Sequence, residues 1–330
     1  MRVFPHTVWL LAAALIPGTA ALSRAAALSR DSGDAARTAL NQGRADDALN
    51  LLDAALEQNP GDGEALNLRC RVFYSEELWD DAIKDCEHSV QAVPGNSDYH
   101  MWLGRAYGEK ADRVSFVRAY KMAKLIRAEF ETAASLDPKS GEALSDLGQY
   151  YLEAPGFLGG GHNKAEGVAA QLDAFAPDRA HDLRARIAER KKDYPDAERE
   201  FQARIAASPR PAEAWMDLGA FYYRRERLDA MTTTLKTGDD NANHSSALVD
   251  GASTLVQAGR ETDLAAAWLR RYLTGNALSE NAPAFVVHRQ LGDLLKSQGD
   301  MQGAQQEYAA ARALAKDYAG VQSQKTNTGR

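Results

Sequence analysis

Two stretches of this 330-residue chain are recognisable copies of each other: "ADDALNLLDAALEQNPGD" and "WDDAIKDCEHSVQAVPGN" align with Ala48 over Ala82 and Pro60 over Pro94, both offsets being 34 residues. A fixed period of that length calls for stacked copies of one supersecondary unit, not a single core assembled from distant segments. The register continues downstream. Gly104 and Tyr107 recur as Gly148 and Tyr151, Gly219 and Tyr222, and Gly292 and Leu295, each followed by a second apolar segment such as "AEFETAASLDP" or "DAEREFQARIAASP". Aromatic residues make up 8% of the chain and runs of β-branched residues are scarce, which favours helix over strand. The expected fold is all-α.

Trp215, Leu218, Gly219 and Tyr222, then Ala304, Tyr308 and Ala311, are residue types at the spacings of the tetratricopeptide repeat, which this chain resembles from Leu28 to Tyr318. The resemblance implies units of two antiparallel helices. About seven to eight of them over 28–318 would stack into an α-solenoid, a right-handed superhelix with a concave binding face. Small residues such as Gly148 and Ala165 let paired helices approach closely, and a proline after the second helix stops it. Near Ala180 and Ser246 the register is degenerate.

Two units are enlarged, near 104–138 and 148–177. The interval from Cys70 to Pro94 is 24 residues, whereas Gly148 to Pro177 takes 29, the excess falling in the glycine-rich "PGFLGGGHNK". This stretch follows a predicted helix and lacks the Gly-Lys-Ser/Thr ending of a P-loop, so it reads as an expanded turn with Asn163 capping the next helix. Gly159, Gly160, Gly161, His162 and Lys164 then form a candidate partner loop; a nucleotide- or small-ligand-dependent factor using 156–164 is the alternative. Gly104 to Pro138 takes 34 residues, and its added segment mixes Arg113, Arg118, Lys121, Lys124 and Arg127 with Phe116, Val117, Tyr120, Leu125 and Ile126. Apolar residues around most of the circumference suit a lengthened, partly buried helix; docking of an acidic partner is the functional version.

The only cysteines, Cys70 and Cys86, fall in one unit. If that unit is an antiparallel pair turning near Leu78, they face each other, as a disulfide or as two buried thiols; a bridge would contribute ~3 kcal/mol. With His88 they are too few to hold structural zinc. His100, His162, His181, His244 and His288 lie in different units without triad or metal spacing, so neither catalytic residues nor a cofactor are expected. In the resembled architecture the residue after the small residue of each first helix points into the concave face. Here those residues are Arg37, Arg71 and Arg105, with Arg186 as a further equivalent. They form either a wall for an acidic segment or chain terminus, or a solvated row.

Arg2, the apolar run Val8–Ile16 and the small residues after Pro17 have the order of a secretory signal over 1–27, with the mature chain beginning between Ala21 and Leu28. That implies a periplasmic or secreted protein with no membrane-spanning segment after processing. Residues 319–330 read as a disordered tail. A net charge of −7 argues against nucleic acid. The expected function is a non-enzymatic exported scaffold that binds a protein or peptide, a purely structural envelope component being the further alternative.

Overall fold

The computed structural model describes residues 33–322; the segment 1–27 lies outside the described residues. They form eight helical hairpins and a short closing helix, with no strand among them. In chain order the hairpins are α1 (33–41) with α2 (Ala45–Gln58), α3 (Gly63–Ser75) with α4 (Trp79–Ala92), and α5 (Ser97–Ala111) with α6 (Phe116–Leu136). Next come α7 (Gly141–Glu153) with α8 (His162–Leu172), α9 (Pro177–Arg190) with α10 (Tyr194–Ala207), and α11 (Pro211–Arg224) with α12 (Leu228–Ala242). The array ends with α13 (Ala247–Gln257) and α14 (Thr262–Leu273), α15 (Ala284–Ser297) and α16 (Met301–Leu314), and the single turn α17 (Ala319–Gln322). From α3 to α16 each helix packs on its hairpin partner, and the second helix of each hairpin packs on the first helix of the next.

The repeated sequence sets the repeated geometry in two ways. Two residues after Pro60, Pro94 and Pro138 stand Asp62, Asn96 and Ser140, whose side chains accept hydrogen bonds from the first backbone N–H groups of α3, α5 and α7. The proline ends one hairpin and the cap starts the next. Within hairpins, the small residue permits close approach: a Cβ on Gly104 would lie 2.5 Å from the Phe130 ring and one on Gly292 2.6 Å from Tyr308, while Gly219 faces Leu235. Gly148 uses the same freedom toward Leu183 of the following unit as well as Val168 of its own. The two degenerate units also form hairpins, with Ala185 and Gly251 in the close approach.

Two local expectations are corrected. Asn163 does not cap α8; the helix begins at His162 behind Gly161, and Asn163 sits within its first turn. The lengthened α6 is partly buried, as its composition leads one to expect: its first turn projects, with Phe116 80% and Val117 66% exposed, while Ala119, Tyr120, Met122 and Ala123 are half-buried and the buried residues begin at Ile126. The segment expected as a tail from 319 starts with α17, and the remainder from 323 lies outside the described residues.

The array closes head to tail. Leu40, Leu66 and Val72 of the first two hairpins share one hydrophobic cluster with Phe285, Ala311 and Tyr318 of the last. Tyr318 is fully buried, edge-on to Phe285 at 5.0 Å, and its hydroxyl accepts from Arg289 at 2.9 Å. Across the seam the Ala319 N–H donates to the Glu76 carbonyl at 3.2 Å, the Lys316 N–H to the Asp46 carboxylate at 3.2 Å, and Arg71 pairs with Glu280 at 2.5 Å. Gly43, with φ of 65°, presses directly on the backbone of Ala284.

The seam can be tested at Gly43 and at Glu76. Gly43→Val places a side chain against Ala284 at a left-handed φ, and should destabilise the protein by ~2 kcal/mol and enlarge its radius of gyration in X-ray scattering. Gly95→Ala, which meets nothing within 4 Å, should change neither. Glu76 is fully buried and neither carboxyl oxygen has a hydrogen-bond partner among the described residues. Burial first, then Asp46 and Asp317, push its pKa up to about 8 from 4.5, Lys316 opposing them. The folded state therefore holds a proton that the unfolded chain has released, so stability falls as pH rises from 4.5 to about 8 and levels off above. Glu76→Gln should flatten that decline, raising the melting temperature at pH 8 by ~5 °C relative to wild type and leaving pH 4 unchanged; parallel pH profiles would refute the assignment.

Candidate functional site

On the first helices, Arg37, Arg71, Arg105 and Arg186 each follow the small residue of their unit, Ala36, Cys70, Gly104 and Ala185. Each guanidinium is held by carboxylates of this chain. Arg37 meets Glu64 at 2.6 Å, Arg71 meets Glu280 at 2.5 Å, and Arg105 meets Asp146 at 2.6 Å and Glu142 at 3.5 Å. Arg186 meets Asp182 of its own helix at 2.9 Å and Asp217 at 3.9 Å. Glu64, Glu142, Asp146 and Asp217 stand six or two residues before the small residue of the next unit, so these pairs tie neighbouring units together. Trp102 occupies that place after Arg71, and it receives both Arg71 and Arg105, 5.0 and 4.8 Å from its ring centroid. An acidic segment binding this wall would have to displace all of these contacts.

Farther along, Arg204 of α10 bonds Asp182 at 2.8 Å and also Asp217. Asp250 has no cation beside it among the described residues; solvent reaches it, yet the surrounding wall strips enough of that solvent, with Asp217 and Glu213 adding their charge, to push its pKa up to about 7.

Cys70 and Cys86 stand opposite each other with Cα atoms 5.4 Å apart and are joined, tying α3 to α4. Three of the histidines regarded as scattered prove equivalent. His100, His181 and His288 lie four residues before Gly104, Ala185 and Gly292, and their Nδ1 atoms meet Glu129, Glu200 and Glu307 of the second helix at 2.6, 2.7 and 2.6 Å. The register itself carried that signal, once the histidines were counted from the small residue. Each pair staples its hairpin. Among the described residues, no group of three or more His, Cys, Asp or Glu is arranged to hold a metal ion, and no helix is long and apolar enough to cross a membrane.

The glycine-rich segment folds back on itself. The N–H groups of Gly159, Gly160 and Gly161 donate to the carbonyls of Gly156, Pro155 and Tyr151 at 2.9, 3.2 and 2.7 Å. Lys164 donates to the Gly159 carbonyl at 2.7 Å and lies over the Tyr151 ring. His162 is exposed at the start of α8. With its amides and its lysine engaged internally, the loop offers no phosphate cradle. Instead it packs on the other enlarged unit: Gly159 lies against the Arg127 guanidinium, Phe157 stacks on Tyr120 at 6.3 Å, and the Tyr150 hydroxyl lies 3.0 Å from the carbonyls of both Ala123 and Leu158. A cavity of about 620 Å³ opens between the two insertions and reaches the arginine wall at Arg105 and Asp146.

Comparisons with known proteins agree with this architecture. Residues 34–97 and 183–230 match the tetratricopeptide repeat model. A 201-residue stretch, 58% of this chain, is 26% identical to Hsp70-Hsp90 organizing protein 1 of Glycine max, and the chain spans 31% of that protein's length. Among solved structures, a thermophilic tetratricopeptide repeat protein of Thermus thermophilus superposes with a TM-score of 0.50 at 19% identity, covering 58% of this chain and 98% of that one. A tetratricopeptide repeat protein from Parabacteroides merdae gives 0.48 at 14% identity, covering 79% and 98%. Residues 34–97 and 183–230 therefore carry tetratricopeptide repeats, and the described residues form an all-helical solenoid.

Proposed function

We propose that this chain is a non-enzymatic, exported scaffold that holds a segment of a protein partner on its concave face. The observation that carries the reading is the cavity between the two insertions. It opens beside Arg105 and Asp146 where the repeats depart from their regular form, and expanded loops on a rigid frame commonly carry binding. A relative whose name describes the organising of two other proteins is in keeping with a scaffold. Export rests on the signal-like residues 1–27 and on two cysteines brought face to face, a pairing that persists in oxidising compartments.

Both parts are open to test. A photo-crosslinking amino acid at Gln149, on the cavity wall, should give discrete adducts in the native compartment, and one at the outward, exposed Asp81 should not. Equal yields from both positions would remove the concave face from consideration. For export, the expected result is a mature N-terminus between Ala21 and Leu28 and thiols at Cys70 and Cys86 that alkylate only after reduction. A chain retained in the cytosol with freely alkylated cysteines would refute it.

A further inference from the structure

The chemistry of the cavity identifies the kind of segment it takes. We propose that it receives an arginine or lysine side chain flanked by apolar residues, from an extended segment of a protein partner; the proposal rests on the scaffold reading and names its ligand.

Both walls are built from segments that the regular repeat lacks, the first turns of α6 and the stretch Pro155–Leu158, over a floor that includes Tyr74, Phe130 and Tyr150. Phe116 and Phe157 stand at its edge, 80% and 71% exposed, and with Tyr120 they make a contiguous aromatic patch rather than apolar side chains exposed singly. They form a surface for apolar side chains. Charge supplies the rest. Among the described residues, four carboxylates line the cavity, those of Glu109, Asp112, Asp146 and Glu153, against one cation, Arg105, which Asp146 and Glu142 already answer. Within the same residues Asp112 has no ion pair, and Glu153 has only the Gln149 side-chain amide at 3.1 Å.

The basic residues of the insertion stay outside. Arg113 pairs with Glu109 at 2.9 Å and lies over Trp79, Arg127 pairs with Glu131 at 2.8 Å, and Arg118 and Lys121 are exposed and do not line the cavity. Lys124 sits 4.6 Å from the Tyr120 ring centroid, so this aromatic rim already holds a cation on a ring face. The basic composition of 113–127 offered an acidic partner as its functional reading, but the side chains segregate so that acid lines the space. An acidic segment or an anionic membrane surface would be repelled there. A purely apolar ligand would strip water from Asp112 and Glu153 without replacing it. A guanidinium or ammonium on an apolar stem satisfies both the carboxylates and the aromatic rings.

The test uses three fluorescein-labelled peptides of sequence Gly-Ser-Leu-X-Leu-X-Leu-Ser-Gly, with X as arginine, citrulline or glutamate, and fluorescence anisotropy with the chain from residue 28 onward. The arginine peptide should bind saturably and at least tenfold more tightly than the citrulline peptide, and the glutamate peptide should not bind. Phe157→Ala, and separately the pair Asp112→Asn with Glu153→Gln, should each weaken the arginine peptide at least tenfold. All three positions are exposed, so the fold tolerates the changes. Binding of the glutamate peptide as tight as that of the arginine peptide, or arginine-peptide binding unchanged in both variants, would overturn the proposal. If crosslinks from Gln149 persist in the native compartment while the peptides fail, the scaffold stands and the cavity's ligand is wrong; if neither appears, both readings fall.

Discussion

A helical hairpin of some 30 residues cannot bury its apolar face within itself, so in a stack each unit depends on its neighbours and the two end units are left short of one. Repeat arrays commonly cover those ends with polar capping units. Here the ends cover each other. The first hairpin lends Leu40, the second Leu66 and Val72, and the last returns Phe285, Ala311 and Tyr318. The closure demands a bare backbone at Gly43 and tolerates a carboxyl group at Glu76 that has no hydrogen-bond partner among the described residues. Such a group is costly to bury charged, and keeping its proton is the cheaper state. Acid–base conditions are thereby coupled to the joint that completes the fold.

Closure also changes what Arg37, Arg71, Arg105 and Arg186 do. In an open array a row of guanidinium groups would be an attractive wall for carboxylates. In this one each is a strut between one unit and another, and the longest strut, Arg71 to Glu280, links the second hairpin to the segment before the last. Pairs of this kind at partly exposed positions add modest stability but fix relative orientation well, because the planar fork accepts few geometries. A wall already satisfied in this way leaves recognition to places where the repeat is interrupted.

Much of this was written locally. The period, the prolines with a capping residue two positions later, and the small residue at the close approach gave the hairpins and their order. The partners of the arginines were also legible in principle, since Glu64, Glu142, Asp146 and Asp217 keep a fixed distance before the small residue of the following unit, as do the three stapling histidines within their own. What the sequence did not reveal was closure, because Lys316 and Asp46 are 270 residues apart and nothing near either announces the other. Nor did it reveal the face of α6. Apolar residues around a whole helix are compatible with burial on all sides or with a projecting end, and composition does not separate the two.

The meeting of the two insertions follows from topology more than from any particular residue. Turns within successive hairpins lie side by side along one edge of a solenoid, so an expansion at the α5–α6 turn and another at the α7–α8 turn must grow into the same space. Either one alone would leave Phe116 or Phe157 facing water with no opposite wall. Together they enclose a cavity whose aromatic residues come from both insertions and whose charge comes largely from the regular helices beneath, through Glu109, Asp146 and Glu153. Since Asp146 also holds Arg105, a cation entering the cavity competes for a carboxylate that ties one unit to the next. Occupancy of the cavity and the setting of the third unit on the fourth are therefore linked by a shared charge.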